Sequence, residues 1–116
     1  MKLQNDLGEI CISSEVFTAV TGSAATNCYG VKGMAVRSKT DGLVHLLKRE
    51  SMAKGVKVYY NEDGTVSIEL HIIVDPGVNI ATVCRAIMSE VKYVVTCNTG
   101  VEVRDVNVCV DSVSNA

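Results

Sequence analysis

The 116-residue sequence predicts an α+β fold: a two-layer sandwich in which two helices lie on one face of a mixed sheet. Three observations carry this reading. From Thr65 to Val110 the chain runs strand, helix, strand, with a period of two giving way to helical spacing and then returning. A shorter strand-helix-strand pattern opens at Gly8. A turn of short polar residues, Asn61-Glu62-Asp63-Gly64, joins two alternating segments as an antiparallel hairpin. The order is therefore β-α-β-β-β-α-β. Residues 8–113 form one domain, residues 1–7 a short N-terminal segment and residues 114–116 a tail.

Each element has its own justification. Gly8 to Ile12 alternates, with Ile10 and Ile12 on one side. Ser13 or Ser14 is placed to cap a helix, because a hydroxyl there can accept from an otherwise unpaired amide. Val16, Phe17, Val20, Ala24 and Cys28 give that helix its apolar stripe. Gly22 within it points to close approach of a neighbour. Gly30 and Gly33 end the helix and lead into a strand through Val36. Residues 38–53 are the least regular: Leu43, Val44, Leu46 and Leu47 suggest one or two helical turns, while Asp41-Gly42 and Lys48-Arg49-Glu50 read as loop.

Val56, Val58 and Tyr60 alternate with Lys57 and Tyr59 in the first hairpin strand. Val66, Ile68, Leu70, Ile72 and Val74 alternate with Ser67, Glu69 and His71 in the second. Asp75-Pro76-Gly77 breaks it. Ile80, Val83, Cys84, Ile87, Val91, Val94 and Val95 then mark one helix face, and Asn98-Thr99-Gly100 stops it. In the last strand Val101 and Val103 share one parity and Val106, Val108 and Val110 the other. A bulge at Arg104-Asp105 reconciles them, since one extra residue restores the buried face.

Charge and composition narrow the function. Hydrophobic residues make up 47% and charged residues 21%, and the net charge is −2. An acidic chain is a poor match to nucleic acid or a bare anionic membrane as a principal partner. No apolar run approaches the roughly 20 residues of a spanning helix, so no direct membrane insertion is expected. Met1 to Leu7 lacks the apolar core of a signal peptide, and a cytoplasmic location is expected. The five cysteines, Cys11, Cys28, Cys84, Cys97 and Cys109, contain no closely spaced pair. They read as reduced small hydrophobes. A zinc site combining them with His45 or His71 lacks the usual ligand pair, so neither metal nor cofactor is expected.

No catalytic residues are assigned. His45 lies in the irregular segment, His71 at a polar strand position, and neither neighbours a cysteine in sequence. Two surfaces stand out. Lys57, Tyr59, Glu69 and His71 share the side of the hairpin opposite its apolar residues and form a candidate interaction face. Gly30-Val31-Lys32-Gly33 matches the GxxG loop with which some modules clamp RNA, making Gly30, Lys32 and Gly33 an alternative nucleic-acid loop. A thiol-based redox sensor is a further alternative, requiring an exposed thiol of low pKa.

Gly8-Glu9-Ile10-Cys11-Ile12-Ser13 and Tyr29-Gly30-Val31-Lys32-Gly33-Met34 resemble the opening of the alkaline-shock protein family. Lys54-Gly55-Val56-Lys57-Val58, Val78-Asn79-Ile80, Thr99-Gly100-Val101-Glu102-Val103 and Val106-Asn107-Val108 continue the likeness, from about Gly8 to Val113. The resemblance implies a non-enzymatic cytoplasmic stress-response protein of Gram-positive bacteria, linked to the cell envelope and working as an adaptor or scaffold through protein contacts. It also implies a protein partner, in some members an integral-membrane anchor holding the protein at the inner face of the membrane, and in some a homo-oligomer. The family brings no catalytic or cofactor residues. This chain departs from it in its five cysteines, and the long charged extensions of some members are not expected in it.

Overall fold

The computed structural model describes residues 1–37, 44–46 and 54–114. Among these residues the elements are, in order, β1 (Lys2–Asn5), β2 (Gly8–Cys11), α1 (Ser14–Thr26), β3 (Val31–Arg37), β4 (Val44–Leu46), β5 (Val56–Tyr60), β6 (Val66–Val74), α2 (Ile80–Thr99) and β7 (Val103–Val113).

Strand β6 is the axis of the main sheet. Along one edge it takes β5 and β3 end to end, both antiparallel: β5 pairs with Val66–Leu70 and β3 with Ile72–Val74. Along the other edge β7 runs parallel for the full length of β6. β4 pairs with the outer side of β3. The sheet is thus mixed and five-stranded.

Its inner face carries Val66, Ile68, Leu70, Ile72 and Val74, all fully buried. Both helices cover that face. Phe17, Ala24 and Ala25 of α1 and Val83, Ile87, Val91 and Val95 of α2 join the β6 side chains in one apolar cluster. The four α2 residues recur every fourth position, which keeps them on one side of the helix. The two-layer α+β architecture matches the expectation.

Helix α2 spans 20 residues with both ends closed. The Asn79 side chain accepts from the Thr82 amide at 3.0 Å. Gly100 takes φ +76° and its amide donates to the Thr96 carbonyl. Helix α1 is closed less well. Ser13 sits at its N-cap, but the expected side-chain cap is not made, and the Ser13 carbonyl instead accepts from the Val16 amide.

The bulge predicted in the last strand is present: Val66 faces Val103 and Ser67 faces Asp105, leaving Arg104 as the extra residue. A second shift occurs further on, where Ile72 faces Val110 but Ile73 faces Ser112. Asp111 is the extra residue there. The hairpin at residues 61–64 also forms. The Asn61 amide donates to the Thr65 carbonyl, and the Asp63 carboxylate accepts from both the Thr65 amide and its hydroxyl. Those last two bonds hold the Asp63 carboxyl below its ordinary range.

Three expectations are corrected. The first strand does not join the shared sheet; β2 pairs with β1 in a separate antiparallel hairpin. All four β2 residues are exposed, with Ile10 half-exposed, so this strand has no buried face to place against the main sheet. Residues 1–7 are accordingly part of the fold, with the Met1 ammonium donating to the Ile12 carbonyl at 3.0 Å. Finally, Val44 and Leu46 lie in a strand rather than in helical turns, because Ala35–Arg37 offer β4 an unpaired edge. Leu43, Leu47 and the proposed loops at 41–42 and 48–50 lie outside the described residues.

Candidate functional site: the open face of the sheet

The face of β6 turned away from the helices presents Ser67, Glu69 and His71. Neighbouring strands extend each position into a row. Tyr59 and Asp105 flank Ser67, Lys57 and Asn107 flank Glu69, and Cys109 lies beside His71. Lys57, Tyr59, Glu69 and His71 therefore share one surface, on which Tyr59 is half-exposed. The surface carries Glu69, Asp105 and Asp111 beside Lys57, and the Arg104 Nε lies 4.0 Å from the Asp105 carboxylate. At the β3 end it becomes apolar and closed: Ile73 and Ala35 are buried, and a Cβ on Gly33 would come within 2.8 Å of Leu46.

At the centre of this face four side chains converge. His71 Nδ1 lies 3.1 Å from Asp111 Oδ2 and its Nε2 lies 3.4 Å from Glu69 Oε2. A ligand atom from each of Glu69, His71 and Cys109 falls within 4.8 Å of the other two. Two structural devices produce the cluster. Alternation along β6 puts Glu69 and His71 on the same side, and the parallel register puts Cys109 beside His71. Alternation along β7 then returns Asp111 to that side, and the bulge leaves it without a register partner, so its carboxylate is aimed at His71 rather than set opposite Ile73. The imidazole is only partly exposed, and Asp111 is the more buried of its two partners.

Sequence reasoning places His71 on this face but does not connect it to Cys109 or Asp111, which lie on β7 far along the chain. The pairs Glu69-x-His71 and Cys109-x-Asp111, each with a spacing of two, are the only trace in the sequence.

A thiol, an imidazole and a carboxylate are also the parts of a nucleophilic triad. The electrostatics oppose that use. Burial pushes the Cys109 thiol up, and Glu69 and Asp111 push it further. A nucleophile needs the opposite shift. Burial likewise raises the thiols of Cys28, assisted by Glu90, and of Cys84.

The candidate nucleic-acid residues do not form a loop. Gly30 lies in a turn at φ +87°, where an added Cβ would meet Val83 at 2.9 Å and Val78 at 3.2 Å. Lys32 and Gly33 are already in β3; Lys32 is exposed and Gly33 buried. Both glycines thus have packing reasons for their identity. On the opposite layer, α1 and α2 border a shallow groove of about 370 Å³ lined by Ala19, Ser23, Asn27, Glu90, Val94 and Asn98, which carries no thiol or imidazole. No helix among the described residues is long and apolar enough to cross a membrane.

Comparison with known proteins bears on this architecture. Residues 2–115 match the alkaline shock protein 23 family, described by a cell envelope-related function. The uncharacterized protein YloU of Bacillus subtilis is 38% identical over 114 residues, covering 97% of this chain and 94% of that protein. The uncharacterized protein Spy1614 of Streptococcus pyogenes serotype M6 is 33% identical over 114 residues, covering 97% and 93%. Among solved structures, MamM-CTD 215-293 is similar in fold, with a TM-score of 0.51 at 16% identity over 86% of this chain and 99% of that one. This last likeness concerns the fold alone. The match to nearly the whole chain and the two relatives above 30% identity show that the protein belongs to this family, the alkaline-shock proteins of Gram-positive bacteria, with a cell envelope-related function.

Proposed function

We propose that this chain is a non-catalytic adaptor or scaffold that docks a protein partner on the open face of its sheet. The observation that carries the reading is a face not covered by either helix, on which half-exposed Tyr59 stands beside Ser67 and Lys57, with the carboxylates of Glu69, Asp105 and Asp111 on the same face. Tyrosine is favoured at contact surfaces because it offers large area with little side-chain entropy to lose. The excess of carboxylates selects a basic partner. Integral membrane proteins carry lysine and arginine in their short cytoplasmic loops, so a membrane anchor with a basic flank has the complementary charge. On this reading Lys57, Tyr59, Glu69 and His71 are contact residues, and the protein sits in the cytoplasm against the inner face of the membrane through its partner.

Cell fractionation with two surface variants tests it. The wild-type chain is expected to sediment with the envelope fraction and to be released by added salt, since such charge pairing is screened. Asp105→Lys and Tyr59→Ala should each shift it to the soluble fraction, while Tyr93→Ala on the outer side of α2 should leave it in place. Envelope association unchanged by both face variants, or lost equally with Tyr93→Ala, would contradict the assignment.

A further inference from the structure

We propose that Glu69, His71 and Cys109 form a binding site for a divalent transition metal of the zinc or cobalt type, with Asp111 orienting the imidazole. Both ring nitrogens of His71 face carboxylate oxygens, Asp111 at 3.1 Å and Glu69 at 3.4 Å. A neutral imidazole carries one proton and can donate to only one of them. With that proton on Nδ1, directed at the closer carboxylate, the Nε2 lone pair faces an oxygen of Glu69. Two acceptors then oppose each other, with the Cys109 sulfur in the same group of ligand atoms. A metal cation between them would satisfy both acceptors and engage the sulfur, which a second ring proton would not do.

The surroundings match a metal in several respects. The donor set is one nitrogen, one oxygen and one sulfur, which suits zinc and its neighbours and is wrong for magnesium or calcium. A ligand histidine normally donates its other N–H to a carboxylate, which fixes the tautomer and aims the ring, and Asp111 is placed to do this. Metal–ligand bonds of about 2.0–2.3 Å put the ligand atoms of a tetrahedral site about 3.5 Å apart. The present spread of up to 4.8 Å therefore has to close by about 1 Å. Partial exposure of the His71 and Glu69 side chains leaves room for that movement. Three protein ligands leave a tetrahedral ion one further position, for water or another ligand. The site stands whether or not the same face docks a protein.

The test is titration of the chelator-treated full chain with cobalt(II) under nitrogen. One cobalt per chain is expected, with a thiolate-to-metal charge-transfer band. Cys109→Ser should abolish that band, and His71→Gln should weaken binding at least tenfold. Asp111→Asn should keep the band but lower affinity about 10–100-fold, the signature of a positioning residue. A Cys11→Ser/Cys97→Ser double variant, altering the two exposed thiols, should bind like the wild type. No stoichiometric band in the wild type would overturn the proposal, leaving the cluster as a histidine hydrogen-bonded between two carboxylates. So would a band that survives Cys109→Ser, or affinity indifferent to His71→Gln. Alkylation of the wild-type chain with and without zinc, read by mass spectrometry, decides the matter without variants. Zinc must protect Cys109 and leave Cys11 reactive, and equal alkylation of Cys109 in both conditions contradicts the site.

Discussion

Thr21 shows how a single side chain departs from what its neighbourhood favours. It is wholly buried in α1, and its hydroxyl has no hydrogen-bond partner among the described residues. An unpaired buried hydroxyl costs about 1–3 kcal/mol, whereas an apolar group of the same shape costs nothing of that kind. Thr21→Val should therefore raise stability by about 1 kcal/mol, seen as a higher urea midpoint at unchanged slope. Lower stability would mean that the hydroxyl is paired after all. His71 departs in the other direction. A polar position in an alternating strand predicts a solvated imidazole, yet this one is partly covered and held on both sides by carboxylates. One of those carboxylates, Asp111, is the extra residue of a bulge on a strand distant in the chain. Nothing in the local pattern around His71 announces that contact.

At the scale of elements, legibility follows the amount of buried surface. β6, α2 and β7 are readable because one face of each lies in the core, so the period of the apolar residues has to match the backbone. The Arg104 bulge is readable for the same reason. β2 is misplaced by sequence reasoning because all four of its residues are exposed, and β1 is missed because only Leu3 reaches the core; the two are joined by backbone pairing and the Met1–Ile12 bond. β4 is three residues long and exists by pairing with β3. Its apolar content suits a helical turn equally well.

Turn chemistry offers a sharper test at this scale. Gly30 needs both a positive φ and an absent Cβ, because Val83 and Val78 lie where that atom would sit. Gly77 has a similar φ of +83° with nothing within 4 Å. Gly77→Ala should cost only the backbone term, about 1–2 kcal/mol, and Gly30→Ala should cost clearly more, about 3 kcal/mol with the clash added. Equal costs, measured by chemical denaturation, would mean that the turn relaxes away from α2.

For the molecule as a whole, one asymmetry governs the rest. Both helices spend their apolar sides on the same face of the sheet, where Val66, Ile68, Leu70, Ile72 and Val74 are fully buried. Away from the β3 end the other face is left to polar side chains, and from it follow the shared surface of Lys57, Tyr59, Glu69 and His71, the cluster around Cys109 and the proposed docking role. The layering is legible in the sequence, since two amphipathic helices and one long alternating strand have few ways to share a core. The chemistry of the bare face is not, because it depends on how β7 registers against β6. The most direct measurement is site-specific photocrosslinking in cells, with the reactive side chain placed at Tyr59 on the bare face or at Tyr93 on α2. The account predicts a defined protein adduct in the envelope fraction from position 59, absent in the Asp105→Lys background, and none from position 93. Adducts only from position 93, or from both positions alike, would contradict it.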